Sequence, residues 1–154
     1  MSGFEFDDDL GGLHYQSLIS ASENQGFRFS LTLRNDTIYE ATALAILDKL
    51  NNGNLDVEDS NEWPGTTLLE GTAQIYTGPV DAAARAVLSD VGSLFSWQSP
   101  NAPEDLAFYS GDEVVFYATS HERTVWIDLD RFPTDFRMMI RRDVRSLRPD
   151  EDVA

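Results

Sequence analysis

Leu106-Ala107-Phe108-Tyr109, Val114 to Ser120 and Thr124 to Asp130 are three short runs rich in Val, Phe, Tyr, Thr, Trp and Ile. Ser110-Gly111-Asp112-Glu113 separates the first pair, and His121-Glu122-Arg123 separates the second. Short β-branched and aromatic runs divided by turn residues are the pattern of an antiparallel meander. Gly111 next to Asp112 suits the positive φ of a tight turn. The middle run is apolar on both faces at its start, which predicts a central place in a sheet.

Upstream, Phe27, Phe29, Leu31 and Leu33 alternate with Arg28, Ser30, Thr32 and Arg34. Period two puts the four apolar side chains on one face, so this segment is a half-buried strand. Leu13 to Ser22 reads as a further strand, hairpinned to it through Glu23-Asn24-Gln25-Gly26. Thr37 and Glu40 fit a capping box, and Tyr39, Ala43, Ile46, Leu47 and Leu50 follow on one helical stripe. Asn51-Asn52-Gly53 supplies a left-handed stop. Residues 54–65 are acidic and read as an exposed loop holding Trp63, whose indole is expected to anchor on the core.

Thr66 to Tyr76 is a strand candidate with Gly71 as a bulge. Pro79 opens a second helix whose stripe is Val80, Ala84, Val87, Leu88, Val91, Leu94 and Phe95. A last helix follows Arg131-Phe132-Pro133-Thr134-Asp135, with Phe136, Ile140, Val144 and Leu147 on its buried side. The resulting order is strand, strand, helix, strand, helix, three strands, helix. It predicts an α+β domain: a mostly antiparallel sheet with an N-terminal hairpin, one middle strand and a C-terminal three-stranded meander, carrying about three helices. The expected boundaries are a mobile acidic arm at 1–12, a single domain at 13–148 and a frayed acidic tail at 149–154.

The 154 residues suffice for one domain with a genuine core. No apolar run approaches the roughly 20 residues that span a bilayer, and the acidic start lacks the basic and apolar regions of a signal peptide. Cysteine is absent, which removes disulfides, thiolate metal sites and a thiol nucleophile. These features lead us to expect a cytoplasmic protein without a membrane partner.

The net charge is −16, and Lys49 is the sole lysine. Such acidity argues against direct nucleic-acid binding, which needs a basic surface. It suits solubility, a high-salt habitat, or docking on a basic partner. Charge is also segregated. Residues 131–148 hold six of the ten arginines against Asp135 and Asp143, net +4, while residues 1–130 carry 5 basic and 22 acidic groups, net −17. Either the last helix docks on its own acidic body, or Arg137, Arg141 and Arg145 form an anion site. Exposed ion pairs contribute about 0–1 kcal/mol each, so docking should rest on Phe136, Ile140 and Val144.

No catalytic constellation is visible. His14 and His121 are the two histidines, without the spacing of a zinc motif. Phosphate-cradling loops and a nucleophile elbow are missing. Asp7-Asp8-Asp9 lacks the spacing and glycine of a calcium loop. No metal or cofactor is therefore expected. Ser120-His121-Glu122 suits acid/base work on an anionic substrate but equally suits a polar turn.

The favoured reading is a small acidic binding protein that covers a basic protein partner, as an immunity protein, an antitoxin against a toxin or nuclease, or a nucleic-acid mimic does. Its candidate contact residues are Trp63, Asp56, Glu58, Asp59, Glu62, His121, Glu122 and Arg123. The alternatives are a homo-oligomer built through the meander edge or last helix, and a hydrolase or isomerase using His121.

Overall fold

The meander is the middle of a larger sheet. In a computed structural model of the protein, which describes residues 3–51 and 53–150, the elements are β1 (Gly3–Phe6), α1 (Gly12–Asn24), β2 (Arg28–Arg34), α2 (Ala41–Leu50), β3 (Asp56–Ser60), β4 (Glu62–Trp63), β5 (Thr66–Thr67), β6 (Ala73–Pro79), α3 (Ala82–Asp90), β7 (Glu104–Ser110), β8 (Glu113–Thr119), β9 (Thr124–Asp128), α4 (Thr134–Asp143) and β10 (Arg148–Pro149). Eight strands form one sheet in the order β10-β1-β9-β8-β7-β2-β6-β3, and β4 and β5 form a separate hairpin. Each described pairing is antiparallel. The fold is α+β.

Opposed residues of an antiparallel pair leave the same face. Phe108 lies opposite Phe116, Phe116 opposite Ile127, and Ile127 opposite Phe4. This apolar face packs under the helices, whose buried residues include Leu18, Leu88 and Ile140. Trp97 Nε1 donates to the Tyr15 hydroxyl at 2.9 Å, and that hydroxyl donates to the Leu88 carbonyl at 2.5 Å. These bonds satisfy two polar groups of the core and tie α1 to α3. Phe132 meets Phe27 and Phe136 at ring separations of 5.4 and 5.0 Å, which seats the start of α4.

Residues 3–6 are not an arm: Phe4 and Phe6 alternate, and β1 lies between β9 and β10. The stretch 13–22 is helical, because Tyr15, Leu18, Ile19 and Ser22 fall at i, i+3, i+4 and i+7 and bury one face. There is thus no N-terminal hairpin; β2 pairs with β6 and β7 instead. The acidic segment after Gly53 is not all loop, since Asp56–Ser60 pairs with β6 as an edge strand. Four α-helices are described rather than three.

The capping box does not form. Thr37 donates to Asp36 at 3.0 Å, and α2 begins at Ala41 with Glu40 before it. Pro79 ends β6, and Asp81 caps α3 by accepting from the Ala84 amide at 2.8 Å. Gly71 sits in the connection before β6 with φ 80°, not in a bulge. The expected fraying does not begin at 149, because Pro149 pairs with Phe4 and Asp150 accepts from Trp126 Nε1 at 2.8 Å. Asn52 and residues 1–2 and 151–154 lie outside the described residues.

The meander also has no free edge: β1 covers β9, and β2 covers β7. The assembly route through that edge is therefore closed. No helix among the described residues is long and apolar enough to cross a membrane.

Candidate functional site

The face of the sheet turned away from the helices carries the candidate site. Arg28, Ser30 and Thr32 leave this face of β2, and across the ladders stand Thr77, Ile75, Tyr109 and Ala107. The β4–β5 hairpin folds over it. Gly65, at the hairpin turn, has φ 85°, and a Cβ there would lie 2.6 Å from the Tyr117 ring and 2.8 Å from Thr119 Oγ1. Glycine is required on both counts, for the backbone angle and for the close approach. Ser30 and Thr32 are consequently buried, although the alternation of β2 predicts a solvated face for them.

Hairpin and sheet enclose a groove of ≈ 830 Å³. Its walls include the carboxylates of Glu58, Glu62 and Asp112 and the apolar surfaces of Trp63, Ile75 and Tyr109. Among the described lining residues the one cation is Arg28, and Asp56 already engages it at 3.3 Å. The cleft is both acidic and aromatic.

Trp63 fixes the hairpin. Its indole is buried against Ala73, Ile75 and Leu68, and its Nε1 donates to Asp105 Oδ2 at 2.9 Å. The Arg34 guanidinium lies 5.9 Å from the Trp63 ring centroid. Asp105 takes φ 59°, uncommon for a non-glycine residue, and also accepts the Ser120 amide at 3.0 Å. Burial pushes its carboxyl above the usual range, the bonds from Trp63 and Ser120 oppose that, and neighbouring Glu104 adds to it. Glu104 is buried too, accepting from the Tyr39 hydroxyl at 2.7 Å, and Tyr39 in turn accepts from the Arg34 amide at 2.9 Å.

Of the residues singled out from sequence, Glu58, Glu62 and Trp63 line the groove together. Asp56 reaches its rim through Arg28. Asp59 pairs with Gln74 in the register of the opposite face. His121, Glu122 and Arg123 form the turn from β8 to β9 and do not line the groove. His121 Nε2 is 3.8 Å from Glu122 Oε1, and the Arg123 guanidinium is 4.9 Å from the Phe95 ring centroid.

The arginine run meets the chain's own carboxylates. Arg131 bonds Glu113, Arg137 lies 3.8 Å from Asp130, and Arg142 bonds Asp143 at 2.8 Å. Arg141 covers the Phe4 ring at 5.1 Å, and the Arg145 backbone amide donates to Asp8 at 3.3 Å. Sequence reasoning missed Asp112, Tyr109, Glu104 and Asp105 as site residues. Only strand register brings them to the hairpin, so no local signal announced them.

The chain matches no protein-family model, and neither the curated proteins nor the solved structures compared with it show a match.

Proposed function

We propose that the protein is a binding protein whose groove, on the open face of the sheet, receives a basic segment of a partner protein. The observation that carries this reading is the groove's lining: three carboxylates beside Trp63 and Tyr109, with its one described cation already paired to Asp56. Aromatic faces attract guanidinium groups and pack the stem of a long side chain. A carboxylate about 4 Å from a cation contributes about 1 kcal/mol in water and about 4 kcal/mol at an effective dielectric of 20, so three of them favour a multiply basic ligand.

The net charge of −16 supports the reading on the kinetic side, because a strongly negative body attracts a positive surface over distance and raises the encounter rate. An inhibitor of the immunity or antitoxin type, directed at a toxin or nuclease with a basic substrate groove, has this chemistry. So does a nucleic-acid mimic. Self-association through β3 is disfavoured by Asp56, Glu58 and Asp59 on that edge, since like charges keep two such strands apart.

Calorimetric titration with an arginine-rich peptide tests the reading. Binding is expected at about 0.01 M salt and is expected to collapse toward about 1 M, where the screening length falls roughly tenfold. The combined Glu58→Gln, Glu62→Gln and Asp112→Asn variant should lose at least about tenfold in affinity, or about 1.4 kcal/mol. Binding that ignores both salt and these substitutions would refute it.

A further inference from the structure

A second group of side chains lies at the far end of Trp63, and it is independent of the groove's ligand. Glu104 and Asp105 begin β7, and His121 stands in the β8–β9 turn. One donor atom from each lies within 4.8 Å of the other two. Both carboxylates are almost fully buried, whereas the imidazole is exposed. Among the described residues, neither carboxylate forms an ion pair with a lysine or arginine. Buried carboxylates that keep their charge need a counter-charge close by.

We propose that Glu104, Asp105 and His121 bind one divalent first-row transition-metal ion of the zinc class. The donor set is two carboxylates and one imidazole. Calcium and magnesium take oxygen ligands alone, while imidazole with carboxylate suits zinc, manganese, iron or nickel. Each carboxylate is already oriented by an outer hydrogen bond: Tyr39 on Glu104, and Trp63 Nε1 and the Ser120 amide on Asp105. Such outer bonds hold metal ligands in place, and an ionised carboxylate keeps lone pairs free beyond them. Ligands each about 2.1 Å from a tetrahedral zinc lie about 3.4 Å apart. The trio, whose donor atoms lie within 4.8 Å of one another, therefore closes by up to about 1.4 Å around the ion, with the exposed His121 side chain exchanging Glu122 for the metal.

Two hydroxyls give an independent pointer. Thr32 and Ser120 are fully buried, and neither Oγ has a hydrogen-bond partner among the described residues. Thr32 stands directly opposite Glu104 in the β2–β7 ladder, so its side chain leaves the sheet beside that carboxylate. Ser120 immediately precedes His121, with its amide on Asp105. Three protein ligands leave a metal with open positions for water. Thr32 and Ser120 thus place two buried hydroxyls, without a protein partner among the described residues, next in ladder or sequence to the trio, where buried polar groups call for one.

Calorimetric titration with Zn²⁺, with Mg²⁺ in parallel, tests the site on the intact protein. The expected result is one tight Zn²⁺ per chain with no comparable Mg²⁺ binding. His121→Ala, an exposed substitution compatible with folding, should weaken Zn²⁺ at least about tenfold, the scale of losing a metal-site contact. His14→Ala should leave binding unchanged. Glu104→Gln, with its fold checked by urea denaturation, should weaken it as His121→Ala does. Absence of saturable Zn²⁺ binding overturns the proposal. So does equal binding by wild type and His121→Ala, which would reflect adsorption to the acidic surface.

Discussion

Trp63 Nε1 donates to Asp105 Oδ2 at 2.9 Å, and this bond fastens the β4–β5 hairpin to the start of β7. The indole also fills the small apolar cluster with Ala73 and Ile75. The groove exists because this side chain, which sequence places in an acidic stretch, is pulled beneath the hairpin.

Trp63→Phe keeps a ring but removes the donor. Asp105 then loses a bond to a buried carboxyl, a change that costs about 1–3 kcal/mol. Trp63→Ala removes the packing as well and should cost about 3–5 kcal/mol. Urea unfolding of both variants measures the difference, and limited proteolysis should cut residues 61–68 faster in each.

Gly65 and Gly111 separate backbone strain from collision. Both have positive φ, 85° and 60° respectively, but a Cβ at Gly111 meets open space while one at Gly65 runs into Tyr117 and Thr119. Gly111→Ala should cost about 1–2 kcal/mol, the cost of left-handed backbone for an L-residue. Gly65→Ala should cost more and should disturb the Tyr117–Trp126 stack, visible in near-ultraviolet circular dichroism.

Acid should loosen the amino end. Asp8 accepts from the Ser146 hydroxyl and from the amides of Ser146 and Arg145. The hydroxyl bond, only partly opposed by burial, holds its carboxyl below the ordinary 3.8. A depressed folded-state pKa contributes stability that is complete above the unfolded value and lost as pH falls through the folded one. The stability gap between wild type and Asp8→Asn should therefore be constant above about pH 5 and shrink below about pH 4. Urea titrations across that range measure it.

The arginine run should not bind polyanions. Arg131, Arg137 and Arg142 already face carboxylates, and Arg141 covers Phe4. The protein should pass through a heparin column even at low salt. Retention that disappears in the combined Arg137→Gln, Arg141→Gln and Arg145→Gln variant would restore the anion-site alternative.

The legible parts of the chain were those with strong period and clear punctuation. Phe108, Phe116 and Ile127 face one side of three runs divided by turn residues, and the meander follows directly. Leu13 to Ser22 failed because its few apolar residues fit both periods, and only packing of Tyr15 and Leu18 selects the helix. Asp56–Ser60 failed because an edge strand exposed on both faces needs little apolar content; Val57 is its one apolar residue. In the groove, Glu58, Glu62 and Trp63 were legible as an acidic and aromatic segment. Tyr109 on β7 and Asp112 in the turn after it were not, because β2 and β6 stand between β7 and β3. Glu104 and Asp105 read as ordinary acids until the turn at His121 is folded back beside them.

The most direct test of the acidic groove is a chemical-shift titration of the nitrogen-labelled protein with an arginine-rich peptide at low salt. Shifts are expected only at the amides of Glu58, Glu62, Tyr109 and Asp112 and the Trp63 indole, all reversed by added salt. Shifts spread evenly over the surface, or centred on α4, would contradict the acidic groove as the binding site.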